Sequence, residues 1–216
     1  MKQYLIWDLP TRLFHWLLVA SIVFLWYSAE IDDNLIDWHA KTGYFVLGLV
    51  IFRVLWGLVG TFHARFVNFI PSFASLKHYS TNSVKTPGHN PLGALMVIAM
   101  LVILLVQAVS GLFISDDIFT QGPYFGVLDK EWENTMNWLH HNNITLLWFA
   151  IAFHVAAIVF YRVKKKHNLV KPMLTGKKSA EDVKESDAIP HSKLLLALVI
   201  AIATAAFVYW LSLIHI

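Results

Sequence analysis

The sequence predicts an all-helical integral membrane protein, and its composition, its hydropathy pattern and its loop charges lead to that prediction. Hydrophobic residues make up 57% of the 216-residue chain and charged residues only 14%, whereas a soluble domain carries about a quarter charged residues. The apolar residues concentrate in five segments, each near the ~20 residues of helix that cross a bilayer core. Because backbone groups in lipid must bond within their own segment, each segment should be a helix.

The five predicted spans contain almost no charge. They are roughly residues 13–29, 42–60, 91–115, 144–161 and 194–214. Basic residues precede the first span, as in a signal peptide. However, this span ends in aromatic and acidic residues without a small-residue cleavage motif. We therefore expect a retained first helix. Arg53, in the second span, is the one formal charge within the five segments.

The loop charges predict the orientation of the chain. The N-terminal tail, the second loop and the fourth loop are basic, whereas the first and third loops are acidic. The positive-inside rule places the basic loops in the cytoplasm, so the N-terminus should be cytoplasmic and the C-terminus periplasmic. The positive charges thus report topology, and they do not point to nucleic acid. The absence of cysteine excludes disulfides, thiolate metal sites and covalent haem attachment, and leaves histidine as the main metal ligand.

The segments between the spans carry weaker signals. Residues 72–79 form either a short helix at the membrane surface or an irregular loop, and the sequence leaves both open. Residues 175–190 mix charges with Gly and Ser, which predicts a flexible linker. Tryptophans near the predicted interfaces fit an aromatic belt; examples are Trp7, Trp38, Trp132 and Trp138. Loop and terminal histidines should be solvated; these are His63, His78, His89, His167, His191 and His215.

Four other histidines sort into two layers by depth. His140 and His154 are fourteen residues apart, about 40° short of four helical turns, so they share a helix face about 21 Å apart. Span direction places His39 with His140 in the outer layer, and His15 with His154 in the inner one. A lone membrane histidine is usually a hydrogen-bonded packing residue. Four that pair by depth favour axial ligation of two stacked haems.

Several neighbours of these histidines need a separate interpretation. His141 lies thirteen residues from His154, a separation of about 140° around the helix, so we expect it either to lie at the surface or to support a ligand without binding iron itself. Arg53 follows His39 by fourteen residues and either pairs with a haem propionate or snorkels to the interface. Lys41, which is close to His39 in the sequence, is expected to pair with a propionate of the outer haem. We expect interhelical hydrogen bonds or packing at the small or polar positions Gln107, Ser110, Gly43, Gly48, Gly93 and Gly111.

Four stretches of the chain resemble the bacterial cytochrome b561 / nickel-hydrogenase b-type cytochrome family. They are WDLPTRLFHW, DWHAKTGYFVLGLVIFRVLW, GHNPLGALMVIAMLVILLVQAVSGLF and LHHNNITLLWFAIAFHVAAI, within about residues 5–175. The resemblance implies a four-helix membrane bundle with two b-type haems in a bacterial inner membrane. It implies His39 and His140 on the periplasmic haem and His15 and His154 on the cytoplasmic haem.

The fifth span lies beyond the bundle that this resemblance implies. We expect a haem-binding unit over residues 1–175, a cytoplasmic linker over 176–191 and an additional C-terminal membrane helix over 192–216. The added helix is either an anchor and packing element or an interface for a partner. A homo-oligomer is compatible with this organisation.

The function implied by the resemblance is electron transfer between the quinone pool and a periplasmic redox partner, such as a c-type cytochrome or an oxidoreductase. Quinone or quinol is expected at one haem edge, with the cytoplasmic layer preferred. One alternative is a free-standing superoxide:quinone oxidoreductase of the same family. A haem-free membrane anchor or transporter subunit is the alternative from a different class. A proton or metal transporter would need carboxylates within the spans, and the predicted spans contain none.

Overall fold

The computed structural model describes residues 2–81, 86–115 and 121–213. Outside these ranges lie Met1, residues 82–85 of the basic second loop, residues 116–120 of the acidic third loop, and residues 214–216, which include His215 and the end of the last predicted span.

Five of the described helices are long and apolar enough to cross a membrane. They are α1 (Leu9–Glu30), α2 (Ile36–Val59), α5 (Pro91–Gly111), α6 (Lys130–Val163) and α8 (Leu194–Leu213). Each of the five predicted spans is therefore found as a helix. The largest difference is in α6, whose 34 residues correspond to about 51 Å of helix. It begins well before the apolar segment, and acidic residues in its first turn suit the positive end of the helix dipole.

The shorter described α-helices and strands lie before α1 or between the long helices. They are β1 (Gln3–Leu5), α3 (Phe66–Phe69), α4 (Phe73–Thr81), α7 (Val170–Thr175) and β2 (Lys177–Ser179). Residues 73–79 lie in helix α4, so this segment is a short helix and not an irregular loop. The Oγ of Ser72 accepts a hydrogen bond from the backbone N–H of Ser75 at 3.2 Å, as a helix N-cap does. The two strands form a small antiparallel sheet, so the fold is mainly rather than entirely helical.

Residues 175–190 do not form the flexible linker that their composition predicted. Gln3 of β1 pairs with Ser179 of β2, and the backbone N–H of Ile189 donates to the carbonyl of Leu5 at 2.8 Å. Val183 packs in a buried cluster with residues of the N-terminal segment. The composition of this segment could not reveal these bonds, because its partner strand lies at the opposite end of the sequence.

Trp7 corrects the prediction of an aromatic belt at one position. Its side chain is only 6% exposed, and it packs with Ile6 and Val183. Its indole ring also meets the imidazole of His89 edge-on, with ring centroids 4.6 Å apart. Trp7 therefore belongs to the interior at the start of the chain. The other three tryptophans predicted for the belt are exposed.

The chain divides into two compact units. The first unit comprises Met1–Phe14, Arg53–Ala99 and Ala150–Ile200, and the second comprises His15–Phe52, Met100–Phe149 and Ala201–Ile216. Each of the five long helices contributes residues to both units. The core of the second unit includes buried aliphatic side chains from α2, α5 and α6; these are Val46, Leu47, Leu104 and Leu147. Many large apolar side chains on the long helices are exposed, as expected for a surface covered by lipid.

Candidate functional site

His39, in the first turns of α2, is held by the last turns of α1. Its Nδ1 lies 3.1 Å from the carbonyl oxygen of Leu25 and 3.1 Å from the Oγ of Ser28. The Ser28 hydroxyl is buried and also donates to the Leu25 carbonyl at 3.1 Å. Because a carbonyl can only accept, Nδ1 carries the proton and Nε2 carries the lone pair.

His140, on α6, is held in the same way by the end of α5. Its Nδ1 lies 3.0 Å from the carbonyl oxygen of Gln107 and 3.3 Å from the Oγ of Ser110. The buried Ser110 hydroxyl donates to the Gln107 carbonyl at 3.1 Å. The next residue, Gly111, leaves room for the ring, since a Cβ there would lie 3.0 Å from the Cε1 of His140.

Gln107 and Asn143 add further hydrogen bonds between α5 and α6 around this histidine. The Gln107 side chain donates from Nε2 to the carbonyl of His140 at 3.0 Å. Asn143 Nδ2 donates to the Gln107 side-chain oxygen at 2.9 Å and to the carbonyl of Ile103 at 2.9 Å. The interhelical hydrogen bonds expected of Gln107 and Ser110 are thus present. They also orient the His140 ring, which the sequence did not indicate.

His39 and His140 therefore share one mode of attachment within the second unit. In each case a serine and the carbonyl three residues before it, on the preceding long helix, accept from Nδ1–H. The two imidazoles are near enough that a positive charge on one would repel a charge on the other. Neutral imidazoles with a fixed Nδ1–H suit coordination of a metal through Nε2. Two such ligands could hold a haem iron through their Nε2 atoms.

The structure separates His140 from its neighbour His141. The His141 side chain is exposed, and its Nδ1 donates to the carbonyl of Asn137, one turn earlier on the same helix, at 2.9 Å. This agrees with the expectation that His141 is a surface residue.

The other predicted site residues occupy more varied surroundings. His15 is half-buried in the second unit, with its ring edge-on to Trp16 at 5.0 Å between centroids. His154 is half-buried in the first unit, and its pairing with His15 stays a prediction. Lys41 is exposed, with its ammonium 4.9 Å from the centre of the Trp38 ring.

Arg53 is buried in the first unit, which excludes the snorkelling alternative. Its side chain is 2% exposed, and its guanidinium lies over the rings of Phe66 and Phe69, 5.1 and 5.8 Å from their centres. Nη1 donates to the carbonyl of Ala64 at 3.2 Å. Nη2 has no hydrogen-bond partner among the described residues. A buried charged donor without an acceptor is costly, and a carboxylate such as a haem propionate would satisfy it.

Asp8 is a residue near Arg53 that the sequence analysis missed. Its carboxylate is fully buried and accepts from the backbone N–H of Thr11 at 2.7 Å, from Trp56 Nε1 at 3.2 Å and from the Thr61 hydroxyl. It therefore caps α1 and joins that helix to the end of α2, and its charge attracts the Arg53 guanidinium. An acid immediately before an apolar run with proline in its first turn is a helix-start signal that could have found it.

Two loop histidines predicted to be solvated are instead enclosed. His63 is buried, and its Nε2 donates to the carbonyl of Asp187 at 2.7 Å. The Nδ1 atom of His89 is buried with no hydrogen-bond partner among the described residues. Burial, followed by the nearby positive charges of Arg53, Lys178 and His63, lowers the pKa of His89 to about 3. His89 is therefore neutral near pH 7, and its Nδ1 is a second unsatisfied polar atom close to Arg53.

Comparison with known proteins gives the family of the chain. A family model for prokaryotic cytochrome b561 matches residues 6–176, which include α1 to α6. The Probable Ni/Fe-hydrogenase B-type cytochrome subunit of Rhizobium leguminosarum bv. viciae is 21% identical over 213 residues, covering 82% of this chain and 89% of that protein. The protein of the same name from Azotobacter chroococcum mcd 1 is 26% identical over 214 residues, with the same two coverages. No solved structure matches the chain significantly. The chain therefore belongs to the prokaryotic cytochrome b561 family.

Proposed function

We propose that this chain carries electrons across a bacterial inner membrane through two b-type haems, between the quinone pool and a periplasmic redox partner. The chain is a multi-pass membrane protein of a b-type cytochrome family, and such cytochromes bind haem b. In the proposed orientation the basic loops and the N-terminus are cytoplasmic and the C-terminus is periplasmic.

The matched attachment of His39 and His140 is the observation that carries the proposal. Both rings are fixed as the Nδ1–H tautomer by a serine and a carbonyl, so each has an Nε2 lone pair for iron. When bound, a haem with two histidine ligands supplies reversible one-electron chemistry and no open position for oxygen. The serines and carbonyls hold the rings in place, and their hydrogen bonds raise the basicity of the imidazoles.

We assign His15 and His154 to the second haem, from their depth in the predicted spans. Arg53 supports a haem carboxylate in the first unit, because its buried Nη2 has no acceptor among the described residues. A propionate there would also offset the positive charges of Arg53 and Lys178 that act together on His89. Lys41, exposed beside His39, is the candidate partner of a propionate on the other haem.

The redox partner is proposed from the relatives. Their names describe b-type subunits of Ni/Fe-hydrogenases, so a periplasmic oxidoreductase of that kind is the proposed electron donor or acceptor. A c-type cytochrome is the other partner that the sequence favours. Quinone or quinol would exchange electrons at the cytoplasmic haem.

The proposal is tested by counting haems. A pyridine haemochrome assay on the purified protein should find two haems b per chain. His39→Ala and His140→Ala should each remove the same single haem, whereas His141→Ala, at the adjacent exposed position, should keep both. A protein that purifies without haem from cells supplied with porphyrin, or His39 and His140 variants that lose different haems, would overturn the assignment.

A further inference from the structure

A cavity of about 600 Å³ lies in the first unit, where lysines surround an opening beside the ends of two long helices. Its lining comes from β1 and β2, from the segments on either side of α7, and from the residues around the start of α5 and the end of α6. None of the haem-ligand candidates or Arg53 is among the lining residues.

Positive charge dominates the lining of this cavity. Its lysines are Lys165, Lys166, Lys171, Lys177 and Lys178. Asp182 is the one carboxylate among the lining residues, all of which the structure describes. Five cations facing a single carboxylate around one cavity repel one another, and an anionic ligand would relieve that repulsion.

Lys178 is the most enclosed of these lysines. Its side chain is half-buried, and its Nζ makes a long hydrogen bond of 3.4 Å to the carbonyl of Thr86. Burial lowers the pKa of Lys178, and the nearby Asp182 only partly opposes that effect. The positive charge of the ammonium group is therefore only partly balanced by negative charge in the folded chain. Because Lys178 lies on strand β2, its backbone is held in place beside the cavity that its side chain lines.

Lys166, which also lines this opening, has an unusual backbone conformation for a lysine. Its φ is 59°, in the left-handed region where glycine usually ends a helix. A lysine there accepts backbone strain that glycine would avoid. This conformation places a lysine in the cavity lining, shortly after the end of α6 at Val163.

The other side of the cavity combines neutral polar groups with exposed apolar side chains. The hydroxyls of Tyr79 and Tyr161 lie 2.6 Å apart, and Asn90 donates to the Tyr161 hydroxyl at 3.0 Å. Leu92 in the first turn of α5 and Phe160 near the end of α6 also line the cavity, and they are 60% and 51% exposed. The cavity therefore joins a cationic surface to the apolar surface of two membrane helices.

We propose that this cavity binds the phosphate headgroup of an anionic phospholipid, with acyl chains lying along Leu92 and Phe160. Basic pockets beside membrane helices recognise acidic lipid headgroups in this way. A neutral quinone ring does not require five lysines, and a soluble phosphate compound would make no use of the exposed apolar side chains. The proposal is independent of the haem assignment, because it uses a different set of residues.

The test measures lipid binding to the haem-loaded, delipidated protein in detergent by native mass spectrometry. Cardiolipin or phosphatidylglycerol should remain bound when phosphatidylethanolamine does not. Lys178→Gln and Lys171→Gln should each weaken binding of the anionic lipid about fivefold, as expected for loss of one cation near a lipid phosphate. Two separate variants guard against a local folding defect at β2, and the haem content of each should equal that of the unmodified protein.

Lys164→Gln is the matched control, since Lys164 is exposed in the same basic run but does not line the cavity. It should leave lipid affinity unchanged. Equal weakening by the Lys164 and Lys178 variants would show that attraction is diffuse and overturn the site. Equal retention of phosphatidylethanolamine would also overturn it. Competition by millimolar inorganic phosphate would assign the cavity to a free anion rather than to a lipid.

Discussion

The hydroxyl of Ser28 on α1 lies 3.1 Å from the Nδ1 of His39 on α2. Ser110 on α5 has the same relationship to His140 on α6, at 3.3 Å. In both cases the serine also donates to the carbonyl three residues earlier, and that carbonyl accepts from the histidine. This repeated arrangement fixes two imidazole rings from two separate helix pairs, and the first two predictions follow from it.

Ser28→Ala and Ser110→Ala should keep the haem and raise its midpoint potential. Each serine accepts from Nδ1–H and so makes the imidazole a stronger donor to ferric iron. The potential changes by the difference in this hydrogen bond's free energy between ferric and ferrous protein, so a bond worth about 1 kcal/mol sets an upper limit of about 40 mV for one electron. A redox titration checks this. Ser21→Ala is the control, because among the described residues the Ser21 hydroxyl donates to the carbonyl of Leu17, within α1. An unchanged potential in both serine variants would contradict the role.

Gly111→Ala should displace His140 and reduce retention of its haem. The added Cβ would lie 3.0 Å from the His140 ring, so the imidazole must shift from its place. The haem-to-protein ratio after purification measures the effect. Gly43→Ala, also within a long helix, is the matched control because a Cβ there meets nothing within 4 Å. Equal haem content in the two variants would contradict the argument.

Arg53→Met should reduce the thermal stabilisation that haem confers. In the folded chain Nη2 has no acceptor among the described residues, so its hydrogen bond would form only with a ligand. A charge-assisted hydrogen bond contributes about 1.5–3 kcal/mol. The difference in Tm between haem-loaded and haem-depleted protein should shrink in this variant. Arg162→Gln, which changes an exposed arginine at the end of α6, should leave that difference intact. A full haem-dependent shift in the Arg53 variant would refute propionate pairing.

Asp8→Ala should destabilise the protein by about 3 kcal/mol or more. Loss of the cap alone costs about 1 kcal/mol, and the Trp56 and Thr61 donors would be left buried without their acceptor. Thermal unfolding in detergent measures the loss. Asp129→Ala removes a comparable but exposed cap, in which the Asp129 carboxylate accepts from the N–H of Trp132, and it should cost only the cap contribution. Similar losses in both variants would show that the buried hydrogen bonds contribute little.

Acidification should destabilise the fold through His89. Its folded pKa of about 3 lies below the usual 6.5, so the unfolded chain binds the extra proton first. The stabilisation is present above pH 6.5 and is lost as the pH falls from 6.5 towards 3. A single group of this kind contributes at most about 1.4 kcal/mol per pH unit. The slope of Tm against pH between 6 and 4 should be smaller in His89→Gln than in the unmodified protein, and equal slopes would refute the role of His89.

Hydropathy located the five long helices because it is a local property of the chain, whereas the orientation taken from loop charge stays a prediction. A run of apolar residues must form a helix in lipid whatever surrounds it. The spacing of His140 and His154 likewise depends only on the helical repeat. Span order predicts a shared depth for His39 and His140. The structure places both in one unit with matching hydrogen bonds, and their pairing on one haem stays a prediction. The pairing of His15 with His154 rests on the same reasoning and stays a prediction.

The long-range contacts had no such local signal. His63 looked like a solvated loop residue, yet its partner is the carbonyl of Asp187, 124 residues away. Residues 175–190 looked like a linker, yet they pair with a strand at the other end of the chain. In the sequence Asp8 is one acid among several. Only the tertiary structure brings the Trp56 and Thr61 donors within hydrogen-bonding distance of it. Helix formation is decided within a few turns of chain, whereas burial of a polar group depends on which distant donors and acceptors the packing brings to it.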